Sequence, residues 1–396
     1  MNNYQFLESF EIKKGTRLKN RIVMAPMTTM SSFYNGMVTK DELDYYAMRS
    51  GGPGMIITAV ANVSSNGKGF EGEFSAATDD MIPSLSSLAH TIKAHDSKAV
   101  LQIFHAGRKT FSRILGGVQP VSSSSVKAEY PANSELPREL ENDEIEVIIN
   151  DFGEATKRAI LSGFDGVELH GANTYLLQQF YSPHSNKRDD KWGGDKEKRM
   201  TFGLAVINKV RAVIKEYADD SFILGYRLSP EEIEKTGITL EDSLYFAKKI
   251  SGNVDYIHLS MGSYKRTSLN NKSDQKLILT HFVETLEDSV PIIGLGSVED
   301  PTDASEVLKI GASLVGIGRE LLREPKWVQK IQSGDEESIR KNISYSDMDD
   351  LGIPKVMQQS LIESFSNVMN FTTNTENLED YSKEMAPMEG IEKKLL

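Results

Sequence analysis

Residues 143–169, DEIEVIINDFGEATKRAILSGFDGVEL, decide the fold, because the hydrophobic pattern changes character within them. The first part predicts an amphipathic helix over 143–161, since its apolar residues recur at helical spacing: Ile145, Ile148, Ile149, Phe152, Ala155 and Ala159. Gly163 is a helix stop signal, and FDGVEL at 164–169 is a short, nearly continuous apolar run. Such a run is typical of a strand buried on both faces. The stretch therefore predicts one helix followed by one strand of a parallel sheet.

Seven further apolar runs alternate with longer amphipathic stretches, of which 197–217 is a second clear helix. The runs are RIVMAPM (21–27), MIITAV (55–60), AVLQIF (99–104), FILGYRL (222–228), VDYIHL (254–259), VPIIGL (290–295) and SLVGI (313–317). Eight such units predict an α/β protein, a TIM (β/α)8 barrel with a C-terminal extension. We assign the barrel to residues 1–333 and the extension, helical or partly mobile, to 334–396.

Composition excludes several classes of function. The net charge of -12 over 396 residues argues against nucleic-acid binding, which needs a basic face. The sequence has no cysteine, which excludes disulfides, zinc–thiolate sites and cysteine-bound iron–sulfur clusters. Redox chemistry would therefore need a bound cofactor. No apolar stretch approaches the length of a membrane span or a signal peptide, so we expect a cytoplasmic protein that acts on a small molecule without a membrane partner. The sequence leaves homo-oligomer formation open.

Polar residues and glycines gather where the predicted strands end, which is where a TIM barrel builds its active site. His170, Asn173 and Tyr175 follow the fourth run. The sequences GLGS (294–297) and GIGR (316–319) end the seventh and eighth runs, where many barrels bind phosphate. Glycine lets backbone N–H groups approach a phosphate, and a helix beginning near Arg319 would add its positive end. The sequence therefore predicts a phosphate-containing ligand at this face.

Together these motifs resemble the Old Yellow Enzyme family of FMN-dependent oxidoreductases over about residues 20–323. The resemblance rests on KNRIVMAPMTT (19–29), LQIFHAGR (101–108), ELHGANTYLLQQFYSPHSNKRDDKWGG (168–194), GYRLSPEE (225–232) and GIGRELL (316–322). It implies an FMN site, with NADH or NADPH as the hydride donor. Carried over residue by residue, the implied cofactor contacts are Pro26, Met27, Thr28 and Ala59 at the flavin ring, Gln102 and Arg227 at its pyrimidine side, and Gly296, Gly318 and Arg319 at the phosphate.

The resemblance also implies a reaction. NAD(P)H reduces the flavin, which then passes hydride to the C=C bond of an α,β-unsaturated carbonyl compound in a ping-pong cycle. His170 and Asn173 match the pair that holds the substrate carbonyl oxygen, where losing one aimed donor costs on the order of 3 kcal/mol. Tyr175 matches the proton donor, and a tyrosine with a pKa near ~10 keeps its proton at neutral pH.

Two positions depart from the pattern of some bacterial relatives. Thr28 and Met30 stand where those relatives place a cysteine and a tyrosine, so flavin potential and ligand preference stay open. No arginine follows Arg340, so an arginine supplied by a neighbouring subunit near its C-terminus cannot be assigned.

Three other functions are compatible with parts of this sequence. The same FMN pocket would serve an NADH oxidase, a quinone reductase or a free-flavin reductase. His105, His170 and His258 at three strand ends suggest a metal-dependent barrel hydrolase, although the first run ends APMT without a ligand, and we predict no metal site. An interaction scaffold that uses the tail is disfavoured by the cofactor pocket.

Overall fold

A computed structural model describes residues 4–373 and 377–378. Eight parallel strands form a closed barrel in which each strand pairs with the next and the first also pairs with the eighth. The strands are β1 Ile22–Met24, β2 Met55–Asn62, β3 Lys98–Phe104, β4 Gly166–Gly171, β5 Ile223–Leu228, β6 Tyr256–Leu259, β7 Ile292–Leu295 and β8 Leu314–Ile317. All eight predicted runs are confirmed, and their ends shift by a few residues.

Helices surround the barrel: α1 Lys40–Arg49, α2 Ile82–Lys93, α3 Asn142–Leu161, α4 Leu176–Tyr181, α5 Lys196–Tyr217, α6 Leu240–Ile250, α7 Ile278–Leu286, α8 Pro301–Ile310, α9 Arg319–Arg323, α10 Trp327–Ser333, α11 Asp347–Asp350 and α12 Lys355–Ser364. The helices predicted at 143–161 and 197–217 are α3 and α5. Gly163 adopts a φ of +84°, which confirms it as the stop after α3. No helix among the described residues is long and apolar enough to cross a membrane.

Short 3-10 helices and short strands lie outside the eight barrel strands and the helices around them. One-turn 3-10 helices lie at Gln5–Leu7, Ser65–Gly67, Asp79–Met81, Glu336–Ser338 and Ser366–Val368. Phe74–Ser75 extends the sheet beside β2, Val121–Ser122 pairs with Arg138–Glu139, and Thr372–Thr373 pairs with Asn377–Leu378.

An N-terminal hairpin, Phe10–Lys13 with Thr16–Leu18, closes the lower end of the barrel. Its Ile12 and Leu18 are buried against the lowest layer of interior side chains. That layer is mainly apolar, and its members are Val23, Met55, Ile57, Val100, Ile223, Tyr256, Ile293 and Leu314. The hairpin was not predicted from the sequence. Because apolar side chains fill the lower end, the polar strand ends at the opposite face, here called the mouth, are the place for a ligand.

The described part of the C-terminal extension packs on the barrel. Met348 and Phe371 are buried in the same core as the barrel helices. The guanidinium of Arg49 donates hydrogen bonds to the carbonyl oxygens of Leu321 at 3.0 Å and Leu351 at 2.8 Å, which joins α1 to both parts of the chain. Between residues 334 and 373 the helices are α11 and α12, with 3-10 turns at Glu336–Ser338 and Ser366–Val368. The domain boundary after residue 333 stays a prediction, and residues 379–396 lie outside the described residues.

Candidate active site

The strand register brings the polar residues of the mouth to common levels inside the barrel. Arg227 on β5 pairs with His170 on β4 and with His258 on β6. One level lower, Gln102 on β3 pairs with Glu168 on β4. Residues in register on parallel strands project to the same face of a sheet, which here is the barrel interior. The upper interior is therefore polar, above an apolar lower layer.

His170 is buried and carries its proton on a defined nitrogen. The backbone N–H of Ala172 donates to His170 Nδ1 at 3.3 Å, so the proton of the neutral ring lies on Nε2. Burial lowers the pKa of His170 well below its ordinary value, and the nearby Arg227 and His258 lower it further. At neutral pH His170 is thus a neutral Nε2–H donor.

Asn173 is held at its backbone and at one side-chain atom. Its N–H donates to Ser229 Oγ at 2.9 Å, and the hydroxyl of Ser260 donates to Asn173 Oδ1 at 3.3 Å. Because the amide oxygen already accepts a hydrogen bond, the amide Nδ2 is the group of Asn173 that is left to donate to a ligand.

The turn that presents Asn173 is strained. Asn173 and Thr174 have φ values of +56° and +61°, and a left-handed conformation is unfavourable for a β-branched residue. Two buried glutamines of α4 hold the turn: Gln178 Oε1 accepts from the N–H of Thr174 at 3.0 Å, and Gln179 Nε2 donates to its carbonyl oxygen at 2.6 Å. Gln178 and Gln179, which belong to the motif at 168–194, therefore support the turn that positions the predicted catalytic residues.

Tyr175 packs edge-on between two rings. Its ring centroid lies 4.8 Å from that of Phe104 and 5.0 Å from that of His170. Its hydroxyl makes no hydrogen bond with any residue that the structure describes. Burial raises the pKa of Tyr175, Glu73 raises it further and Arg227 opposes the shift. The phenol therefore keeps its proton at neutral pH.

Arg227 provides a test of the predicted FMN site. Its Nε is buried and has no hydrogen-bond partner within the described part of the chain. A buried guanidinium nitrogen without an acceptor is costly, which fits a missing anionic or carbonyl-bearing ligand. Gln102 is linked to Arg227 through Glu168: the amide of Gln102 donates to Glu168 Oε1 at 2.6 Å, and the charge of Arg227 acts on the same carboxylate. Both residues predicted at the pyrimidine side thus belong to one polar cluster.

The residues predicted along the flavin ring follow β1 or lie within β2. Pro26, Met27 and Thr28 follow β1 and are half-buried. Ala59 is buried on β2, where its N–H donates to the hydroxyl of Tyr46 at 2.8 Å. A small residue at this place leaves room for a planar ring.

The predicted phosphate residues also lie together. Gly296 has a φ of +110°, and a Cβ there would come within 2.6 Å of the backbone nitrogen of Ser263. Arg319 Nη2 donates to Ser297 Oγ at 2.7 Å, which links the loops after β7 and β8. The helix expected to add its positive end is α9, which begins after Gly318 and has only five residues, so its dipole adds little. The backbone amides and Arg319 are the groups that fit a phosphate.

Sequence reasoning missed a buried pair. Glu168 Oε2 lies 2.8 Å from His258 Nδ1, and both side chains are 0% exposed. Burial alone would raise the pKa of Glu168, but His258, Arg227 and Gln102 together lower it. Burial lowers the pKa of His258, so the carboxylate is charged and the imidazole neutral. The sequence feature that could have indicated this pair was Glu168, a charged residue within the apolar run at 164–169.

His105, the third of the strand-end histidines named above, has a structural role. His105 Nε2 lies 3.1 Å from Asn66 Oδ1, and the N–H of Gly107 donates to His105 Nδ1 at 3.0 Å. Arg108, the last residue of the motif LQIFHAGR, donates to the carbonyl oxygen of Val126 at 3.0 Å. Among residues 4–373 and 377–378, no three acidic or histidine side chains are placed to hold a metal ion.

Comparison with known proteins shows the family of the chain. A model of the NADH:flavin oxidoreductase / NADH oxidase family matches residues 6–338. The chain is 42% identical over 373 residues to the NADH:acrylate oxidoreductase of Vibrio harveyi, and 40% identical over 375 residues to the NADH:fumarate oxidoreductase of Klebsiella pneumoniae (strain 342). These matches cover 92% and 93% of this chain but only 37% and 40% of the relatives, so it spans about two fifths of their length.

A solved structure supports the fold. The old yellow enzyme homologue of Zymomonas mobilis superposes with a TM-score of 0.72 at 24% sequence identity, over 83% of this chain and 93% of that chain. The predicted TIM barrel is thereby confirmed.

Proposed function

Because this chain belongs to the NADH:flavin oxidoreductase / NADH oxidase family, which includes the Old Yellow Enzymes, we propose that it reduces the C=C bond of α,β-unsaturated carbonyl compounds with electrons from NADH or NADPH. FMN is its cofactor, and when bound it supplies the hydride chemistry by accepting hydride from the nicotinamide and releasing it to the acceptor. The roles below follow from the side chains at the mouth.

His170 and Asn173 hold the acceptor's carbonyl oxygen. The observation that carries the proposal is the hydrogen bond from Ala172 N–H to His170 Nδ1, which leaves Nε2–H as a neutral donor at the mouth. Asn173 adds its amide Nδ2, since its Oδ1 accepts from Ser260. Negative charge builds on the carbonyl oxygen as the β-carbon is reduced, and preorganised donors stabilise that charge.

Tyr175 delivers the proton to the α-carbon. Its ring contacts that of His170, so the phenol lies beside the carbonyl-holding group. Its hydroxyl has no other partner among the described residues and keeps its proton at neutral pH. The enolate formed at the substrate is a much stronger base than the phenolate, so the transfer is favourable.

Gln102 and Arg227 bind the pyrimidine side of FMN, and Gly296, Gly318 and Arg319 bind its phosphate. Pro26, Met27, Thr28 and Ala59 bound the ring. The unpartnered Arg227 Nε and the glycine loops support this placement.

A second candidate function uses the same pocket. The two relatives named above are NADH oxidoreductases of acrylate and of fumarate, and this chain spans only about two fifths of each. This partial coverage, together with a family description that includes NADH oxidases, favours an alternative in which the chain passes electrons from NADH to oxygen, a quinone or free flavin. Steady-state rates with a cyclic enone, a maleimide, a quinone and free FMN, at equal NADH, separate the two.

The first test is the absorption spectrum of the purified protein, followed by anaerobic titration with phenol. We expect flavin bands and then a new long-wavelength charge-transfer band, because His170 and Asn173 bind phenolate against the ring. The variant His170→Ala should keep the flavin bands and lose the charge-transfer band. A colourless protein that takes up no FMN would refute the cofactor site, and an unchanged band in His170→Ala would refute the assigned donor.

A further inference from the structure

Glu168 and His258 form a hydrogen-bonded pair inside the barrel to which the proposed reaction gives no role. The two side chains are 0% exposed, and Glu168 Oε2 lies 2.8 Å from His258 Nδ1. The other carboxylate oxygen accepts from Gln102 Nε2 at 2.6 Å. A carboxylate buried below a ligand site costs free energy unless its charge is used or compensated.

Glu168 and His258 reach each other across an intervening strand. Glu168 is on β4 and His258 on β6, so a side chain must pass over β5 between them. At the level of Glu168, β5 has Gly225, which pairs with Glu168 on one side and with Tyr256 on the other. A Cβ on Gly225 would lie 2.0 Å from Cζ of Tyr256, so the missing side chain makes room for the Tyr256 ring beside the pair.

The pair also decides what Arg227 contacts. Arg227 stands two residues after Gly225 on β5, and its positive charge helps to lower the pKa of Glu168. A guanidinium beside a carboxylate usually forms a two-pronged salt bridge. Here both carboxylate oxygens accept from other groups, and no hydrogen bond from Arg227 to Glu168 is present among the described residues. The guanidinium therefore remains available to a ligand at the mouth.

We propose that Glu168 and His258 are positioning residues that set the redox potential of the bound flavin. His258 holds the carboxylate away from Arg227, and the carboxylate charge partly offsets the guanidinium charge at the flavin. The inference rests on the proposed placement of the flavin's pyrimidine side against Gln102 and Arg227. A cation there favours the reduced flavin, which carries more negative charge than the oxidised form.

Two substitutions should shift the potential in opposite directions. Glu168→Gln keeps the shape and can keep both hydrogen bonds, because its amide accepts from Gln102 and donates to His258 in the other tautomer. It removes the charge that offsets Arg227, so the reduced flavin should bind about tenfold tighter relative to the oxidised form. His258→Leu frees the carboxylate to pair with Arg227. The affinity for reduced flavin relative to oxidised flavin should therefore fall by about tenfold. A tenfold change corresponds to about 30 mV for a two-electron couple.

The experiment is a midpoint-potential titration of each holoenzyme against a reference dye, together with FMN release measured by free-flavin fluorescence. His258→Gln should restore the wild-type potential, since its amide can still donate to Glu168. Asp165→Asn is the matched control, because Asp165 precedes the same strand at the opposite end of the barrel and pairs there with Lys98. It should leave the potential unchanged.

Opposite shifts in Glu168→Gln and His258→Leu support the inference, because loss of packing alone would weaken both flavin forms alike. Unchanged potentials in both variants, or shifts of the same sign, overturn it. If His258→Leu does not fold, Glu168→Gln against Asp165→Asn still decides. A wild-type protein that holds FMN but reduces no enone would refute the proposed acceptor while leaving this measurement valid.

Discussion

Replacing Tyr175 with phenylalanine separates proton delivery from every other property of the site. The ring contacts with Phe104 and His170, at centroid distances of 4.8 and 5.0 Å, do not depend on the hydroxyl. That hydroxyl has no hydrogen-bond partner within the described residues, so its removal orphans no group and should change the free energy of unfolding by less than about 0.5 kcal/mol. Loss of a general acid should slow enone reduction by roughly 10²–10⁴-fold.

The assay is anaerobic stopped-flow absorbance of the flavin in each half-reaction. Reduction by NADH should keep its wild-type rate in Tyr175→Phe, while reoxidation by a cyclic enone should slow by the factor above. Tyr181→Phe is the control: it loses a hydrogen bond from its hydroxyl to the carbonyl oxygen of Asp242 at 2.6 Å, which should lower the free energy of unfolding by about 1 kcal/mol and leave both rates unchanged. Equal losses in both half-reactions of Tyr175→Phe, or none in either, would refute the proton-donor role.

The remaining predictions concern pH and the cofactor. Because burial raises the pKa of Tyr175, wild-type enone reduction should show no loss from tyrosine ionisation as pH rises through about 10, and a decline there that Tyr175→Phe lacks would contradict this. Gly296→Ala should release FMN, since its Cβ would meet the nitrogen of Ser263 at 2.6 Å; full retention on dialysis would count against the phosphate loop. Burial lowers the pKa of His105 to about 3, below its unfolded value of about 6.5, so acid adds a proton to the unfolded state first. Below pH 6.5, His105 should therefore lower the free energy of unfolding by about 1.4 kcal/mol per pH unit. Urea unfolding at pH 7 and pH 5 should show a smaller decrease in the free energy of unfolding for His105→Gln than for the wild type.

The barrel could be predicted from sequence because each strand is an apolar run bounded by a turn, and burial on both faces leaves that pattern in consecutive residues. The mouth residues could be predicted because the end of each strand can be located from the sequence alone. His170 and Arg227 could be assigned to the mouth without knowing which strands are neighbours in the barrel.

The buried pair could not be predicted in this way. Glu168 and His258 are 90 residues apart and lie on strands that are not adjacent in the barrel. Their contact passes over β5, the strand between them, and nothing in the sequence shows that these two strand positions face each other inside the barrel. The left-handed turn at Asn173 and Thr174 was equally hidden, since neither residue type signals it strongly and its supports come from side chains of the next helix.

The N-terminal hairpin has a kinetic consequence. With Ile12 and Leu18 sealing the lower end, the hydride donor and the acceptor of the proposed reaction would both have to enter and leave by the mouth. Each molecule is then an obstacle to the other. Raising the enone concentration should delay re-entry of NADH, and raising NADH should delay the enone, so turnover passes through a maximum as either concentration increases. The cell's ratio of the two would govern flux more than the absolute amount of either.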